Sequence, residues 1–376
     1  MKYLCLFLTF LCLSACRTTP TITPTSTEVS TVSTRSSVVV KQPKNIILMI
    51  GDGMGLTQIT AGMYTQRAPI QLESFPVIGL HKSYASDNLV TDSAAGATAF
   101  SCGIKTYNGA IGVDEDSTAK VTILELAEKN GLATGLLSTS SITHATPASF
   151  IAHAARRSYM EEIATYFLET EIDFFMGGGK AYFDQRESDD RNLYRELKQK
   201  GYQISSYFDQ DFDNLTIKKN NNFAYFTANK EPLPKAQGRD YLPYATRSAA
   251  RFLSQKGAEK GFFLMVEGSQ IDWGGHANNL DYVLSEFRDF DAAIQEVLDF
   301  ARRDGETLVI VTADHETGGL AINPGSTRDS LVAAFTSTYH TAAIIPVFAY
   351  GPGAEAFRGI YENTAIFDKM RKAYGF

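Results

Sequence analysis

Cysteine is scarce, and its placement excludes a disulfide framework. The 376-residue chain has four cysteines. Cys5, Cys12 and Cys16 stand at the N terminus, so Cys102 alone is left for the folded part. Long apolar runs are also missing. Tyr3–Leu13 is apolar but too short to span a bilayer as a mature helix. Positive charge is in the minority. Lys and Arg number 35 against 42 Asp and Glu, giving a formal charge of −7 and a pI near 5.5. That balance argues against nucleic-acid-specific binding. It leaves room for an anionic substrate, because bound cations supply local positive charge. No internal repeat and no zinc-finger spacing occur.

The N terminus reads as a targeting segment. Lys2, the apolar run and "LSAC" at 13–16 resemble a bacterial lipoprotein signal whose cleavage leaves Cys16 lipidated. The expectation is a signal over 1–16 and an exported protein at the periplasmic face or outer membrane. Its membrane contact would run through that lipid alone. Residues 17–40, rich in Thr, Ser, Pro and Val, read as a tether. Residues 41–376 read as one domain.

Within that domain, apolar strand-like runs at 45–50, 132–137, 172–176, 262–266, 307–312 and 344–350 alternate with helical patterns at 121–131, 191–201 and 282–303. The first two helical patterns end in glycine, a stop signal. Continuous apolar strands between helices predict an α/β fold in three layers, a mostly parallel central sheet with helices on both faces. The Asn/Asp/Lys-rich stretch 209–222 reads as a surface excursion.

Three of these strands deliver an acid just past their carboxyl ends: Asp52 after "NIILMIG", Glu267 in "FFLMVEG", and Asp314 with His315 after "TLVIVTA". Ligands of open α/β sheets bind at that edge. Only six histidines occur, and three stand near other donors: His276 four residues after Asp272, His315 beside Asp314, and His340 in "TYHTA". Asp and His suit zinc. Glu267, Asp52 and hydroxyls suit a harder ion such as magnesium. "TDSAAGATAF" at 91–100 raises a separate question. Ser93 is either a nucleophile on an exposed turn or the N-cap of a tightly packed helix, and the stretch alone leaves both open.

Taken in order, "NIILMIGDGMG", "TDSAAGATA", "KTYNGAIG", "HATPASFIAHAARR", "FFLMVEGSQIDWGGHAN", "VTADHETGG", "YHTA" and "VFAYGPGA" resemble the alkaline phosphatase family from about residue 44 to 352. The resemblance implies hydrolysis of small phosphate monoesters to alcohol and inorganic phosphate, the latter both product and inhibitor. Ser93 would be the nucleophile, forming a covalent phosphoserine. One zinc would sit on Asp272, His276 and His340. A second would sit on Asp52, Asp314 and His315. A third ion, usually magnesium, would use Asp52, Thr146 and Glu267. Arg157 would clamp phosphate, and Asp92 would support the site beside Ser93. A homodimer is also implied, without the large crown insertion of longer members.

Two positions depart from the best-known bacterial members. His144 stands where those have Asp, and Trp273 where they have Lys; a subset of marine and cold-environment relatives is similar at both. His144 could then approach the third ion directly. Loss of the Lys charge predicts weaker phosphate retention, and Trp273 serves either packing or the substrate. His153 reads as a structural helix residue and His81 is unassigned. Two alternatives stand beside this reading, a phosphodiesterase of the same superfamily and a non-catalytic lipoprotein that binds metal or phosphate.

Overall fold

The run Asn45–Gly51 forms strand β1, and every residue of it is buried. Its residues alternate between two cores. Ile46, Leu48 and Ile50 pack into one apolar cluster, and Ile47 and Met49 into another on the opposite face. A strand covered on both sides has no polar face, which is why it reads as an unbroken apolar run.

The structure is a computed structural model describing residues 42–328 and 330–376. The expected signal 1–16, the tether 17–40 and Cys16 lie outside the described residues. In chain order the strands after β1 are β2 (Val77–Lys82), β3 (Ala133–Ser141), β4 (Phe174–Gly178), β5 (Gln203–Ser206) and β6 (Phe223–Phe226). Then follow β7 (Phe262–Gly268), β8 (Thr307–Thr312), β9 (Glu316–Thr317), β10 (Ala321–Ile322), β11 (Ala333–Ala334), β12 (His340–Thr341), β13 (Ile345–Tyr350) and β14 (Gly359–Glu362).

Ten of these make one sheet in the order β14-β2-β13-β8-β1-β7-β3-β4-β6-β5. Only β13 runs against its neighbours in this sheet. Helices Ser93–Cys102, Ile123–Lys129 and Met160–Glu169 pack on one face, and Leu242–Lys256 and Leu280–Asp304 on the other. The expected three-layer α/β architecture is what forms. The helical patterns at 121–131, 191–201 and 282–303 become Ile123–Lys129, Leu193–Gln199 and Leu280–Asp304. The stretch 209–222 is mostly exposed, with Phe212 tucked against Phe223 and Tyr225.

The register of the central strands assembles the site. Ile50 pairs with both Glu267 and Thr312, and Glu267 pairs with Ser138. Parallel strands with flush ends bring Asp52, Glu267 and Asp314 to one edge. Gly53 permits the turn after Asp52, with φ +74° and no room for a side chain, since a Cβ there would lie 2.6 Å from the Asp272 Cα. No helix among the described residues is long and apolar enough to cross a membrane.

Candidate functional site

Ser93 is the first residue of helix Ser93–Cys102, and the N-cap is Asp92. The capping reading is thereby corrected, and so is the exposed setting of the nucleophile reading, since Ser93 is buried to 2 % exposure. Asp92 Oδ1 accepts from the backbone N–H groups of Ala95 and Gly109, each at 3.0 Å. Its other oxygen accepts from Arg157 at 2.9 Å. The Ser93 hydroxyl is thus left free of capping, with Oγ 3.3 Å from His315 Nε2. The small residues that follow let the helix seat on the strand ends. A Cβ on Gly96 would come within 3.0 Å of the Asp314 side chain.

Around Ser93 the acids and histidines converge in overlapping groups. Asp272, His276 and His340 each bring one donor atom to within 4.8 Å of the others, as do Asp52, Asp272 and His315, and Asp52, His144 and Glu267. Asp314 Oδ2 lies 3.4 Å from His315 Nε2. Asp272 therefore belongs to two groups, and Asp52 joins the second to the third.

The histidine orientations are fixed from outside. His276 Nδ1 lies 2.7 Å from the Thr338 carbonyl and His340 Nδ1 lies 2.8 Å from the Thr91 carbonyl. A carbonyl only accepts, so both Nδ1 atoms carry a proton and both rings turn Nε2 inward. Those two Nε2 atoms face each other at 3.1 Å. Two nitrogens brought face to face beside the Asp272 carboxylate fit a shared cation. His315 follows the same pattern. Thr317 Oγ1 donates to Asp272 at 2.5 Å and has only its lone pairs left for His315 Nδ1 at 3.2 Å.

The carboxylates make the same demand. Both Asp52 oxygens, Glu267 Oε1, Asp314 Oδ2 and the Thr146 hydroxyl are buried without a hydrogen-bond partner. Burial first, then the charges of Asp314, Asp272 and Glu267, hold the Asp52 carboxyl well above its usual range, opposed by Arg157. Burial lifts Glu267 to about 7, against the hydrogen bond from Ser138. Burial and then Asp272 lift Asp314 to about 6. Asp272 moves the other way: burial raises it, but His276, His315 and His340 together hold it far below its usual range. Burial pushes His315 and His340 down to about 4, so both are neutral near pH 7. Carboxylate oxygens without hydrogen-bond partners, buried around space shared with imidazole nitrogens, fit divalent cations, which would displace the protons that burial retains.

Arg157 projects from an irregular segment, held by Asp92 on one side and by His144 Nε2 at 3.2 Å on the other. Burial opposes its charge, but Asp92 first and then Asp52 and Asp272 raise its pKa. Trp273 is half-buried, its ring edge-to-face with His144 at 6.2 Å. His153 is structural as expected but lies in that same irregular segment rather than in a helix, bonding Gly112 O at 2.8 Å and Glu125 at 3.0 Å. His81 takes a role too: its Nε2–H donates to the Ala313 carbonyl at 2.9 Å, just ahead of Asp314.

Sequence reasoning missed the supporting residues. Thr317 touches both Asp272 and His315. Glu316 accepts from Gln58 at 2.6 Å and from Thr341, tying β9 to β12 and so His315 to His340. Ser138 donates to Glu267 at 2.6 Å. The Glu-Thr pair directly after His315 was the available signal, since donors flanking metal ligands commonly orient them.

A family model described as alkaline phosphatase matches residues 43–333. Alkaline phosphatase 3 of Bacillus subtilis is 44% identical over 88% of each chain. Among solved structures, the alkaline phosphatase of the Antarctic bacterium TAB5 is 48% identical with a TM-score of 0.84, covering 90% of this chain and 99% of its own. A TAB5 variant in which one histidine is replaced by aspartate has magnesium bound in a site called M3; it is 46% identical, with the same TM-score and coverage.

Proposed function

The chain belongs to the alkaline phosphatase family and is a phosphomonoesterase, and on that premise we propose how its residues divide the work. Ser93 Oγ attacks the phosphorus of a phosphate monoester, the alcohol departs, and water then releases inorganic phosphate from phosphoserine. Asp272, His276 and His340 would hold one zinc, and Asp52, Asp314 and His315 a second. Asp52, Thr146 and Glu267 would hold a third ion, magnesium, with His144 beside it. Such ions, when bound, favour the ionised serine and neutralise charge on the attacking and leaving oxygens.

The chain's own groups do the rest. Asp92 caps the helix and so frees Ser93. Arg157, braced by Asp92 and His144, presents a permanently charged fork to two phosphate oxygens. A diester would put its second substituent where that fork binds, so monoesters are favoured. The grouping of His144 with Asp52 and Glu267 supports a third site that this histidine borders. Trp273 brings no charge to phosphate, which supports faster release of the product. We also infer export with lipidation at Cys16, the domain limits given above, and a homodimer.

The observation that carries this reading is the Ser93 hydroxyl 3.3 Å from His315 Nε2, beside carboxylates left unpaired. Hydrolysis of a chromogenic aryl phosphate at alkaline pH, before and after chelation and with zinc and magnesium returned, tests it. Activity should vanish on chelation, return with both metals, and be absent from Ser93→Ala. Undiminished activity in metal-stripped protein would overturn the mechanism, and faster turnover of diesters than monoesters would overturn the substrate class.

A further inference from the structure

Three rings form a column at the site. The His315 and His340 rings stack at 3.5 Å between centroids, 15° from parallel. The Tyr339 ring stacks on His340 at 4.3 Å and 8°. Two rings so close and so nearly parallel to His340 cannot share one of its faces, so they occupy opposite faces. The column thus begins at fully buried His315, passes through buried His340 and ends at Tyr339, which is 49 % exposed.

Tyr339 is not placed there by strand alternation, which would point it away from His340. It stands in a bend just before β12, where its backbone N–H donates to Ser337 Oγ at 2.9 Å. The bend lays the phenol back over the Asp272, His276 and His340 group, 5.9 Å from the His276 ring. The phenol also lies within the field of the phosphate-binding side: apart from burial, Asp92 raises its pKa and Arg157 lowers it. No hydrogen bond among the described residues engages its hydroxyl.

We propose that Tyr339 is a specificity-determining residue whose outward face stacks a planar aromatic leaving group, so that nucleoside 5′-monophosphates are preferred over sugar phosphates of the same reacting bond. The inference rests on the phosphomonoesterase reading of this site. The column runs outward from His315, which touches Ser93, through His340 to Tyr339, and an in-line displacement sends the alcohol out opposite the attacking serine. A purine carried by that alcohol extends the column by one ring. An aliphatic alcohol gains nothing from it.

The test compares adenosine 5′-monophosphate with ribose 5-phosphate, which share a primary 5′-oxygen leaving group and differ in the base. The holoenzyme should favour the nucleotide in kcat/KM. Tyr339→Leu should lower that preference about fivefold, the scale of one aromatic stack, mostly through KM, with ribose 5-phosphate turnover and metal content unchanged. Tyr339→Trp should retain the preference. An equal preference in Tyr339→Leu and the unaltered enzyme would overturn the proposal. So would parallel loss of both substrates, which would make Tyr339 a support for His340. Failure of the unaltered protein to hydrolyse either substrate would instead defeat the phosphomonoesterase reading.

Discussion

Two buried charged clusters among the described residues are resolved in opposite ways. Under helix Leu280–Asp304, Arg239 is paired with both Glu286 and Asp289, the latter at 2.7 Å, and Lys235 adds a backbone donor to Glu286 at 2.6 Å and an ammonium 3.5 Å from Asp289. Cations from the chain itself answer those two acids. At the strand ends, Asp52, Glu267 and Asp314 are just as buried, yet they retain oxygens without partners. The nearest fixed cation, Arg157, is engaged with Asp92. A closed cluster holds structure together. An open one is stabilised by charge from outside, and that is how a fold reserves a place for ions.

The largest expected effect falls on the open cluster. Ser93→Ala should reduce kcat by about 10⁴-fold or more, the scale of losing a nucleophile, while metal content stays constant. A residual rate within tenfold of the parent would show that the cluster acts without this serine.

The closed cluster should respond in stability alone. Arg239→Met leaves Glu286 and Asp289 buried without their partner and should cost about 3–5 kcal/mol in denaturant unfolding. The metal content and specific activity of the folded fraction should not move. If metal were lost together with stability, the two clusters would not be independent.

Thr317→Val removes the one hydroxyl that touches Asp272 and His315 while keeping the side-chain shape. Metal affinity should fall about 10–100-fold, measured by chelator competition, and Thr317→Ser should restore most of it. Unchanged affinity would reduce Thr317 to packing.

A smaller effect should appear in the pH dependence. In metal-free protein, Glu267 at about 7 and Asp314 at about 6 lie above the ordinary carboxyl values of 4.5 and 3.8. An acid whose folded pKa is raised contributes fully below its unfolded value and loses that contribution as pH rises through the folded one. His315 and His340, at about 4, are already neutral across that range. The Tm gap between metal-loaded and chelated protein should therefore widen from about pH 5 to about pH 8. A constant gap would mean that these carboxylates do not meet the ions. Smallest of all, Trp273→Lys should tighten phosphate inhibition a few-fold, on the order of one exposed charge contact; a change the other way would place Trp273 itself on the phosphate.

The sheet centre was legible because burial on both faces leaves only apolar residues, as in β1, β7 and β8. The acids at their ends were legible because parallel register carries strand ends to one edge. The outlying strands were not. β2 alternates buried and exposed positions and contains Gly79 and His81, and β5 and β6 have only four residues each. The division of labour between Asp92 and Ser93 was hidden too, since either residue can cap a helix and only the neighbouring N–H groups decide. Thr317 acts through contacts 45 residues apart in the chain, which no local pattern records.

The most direct test is the metal content of the purified protein, measured by plasma mass spectrometry alongside its activity. The open cluster predicts about two zinc and about one magnesium per chain, lost together with activity on chelation and absent in part from Asp52→Ala, whose side chain serves two of the groups. A fully active protein carrying less than about one divalent ion per chain would contradict it.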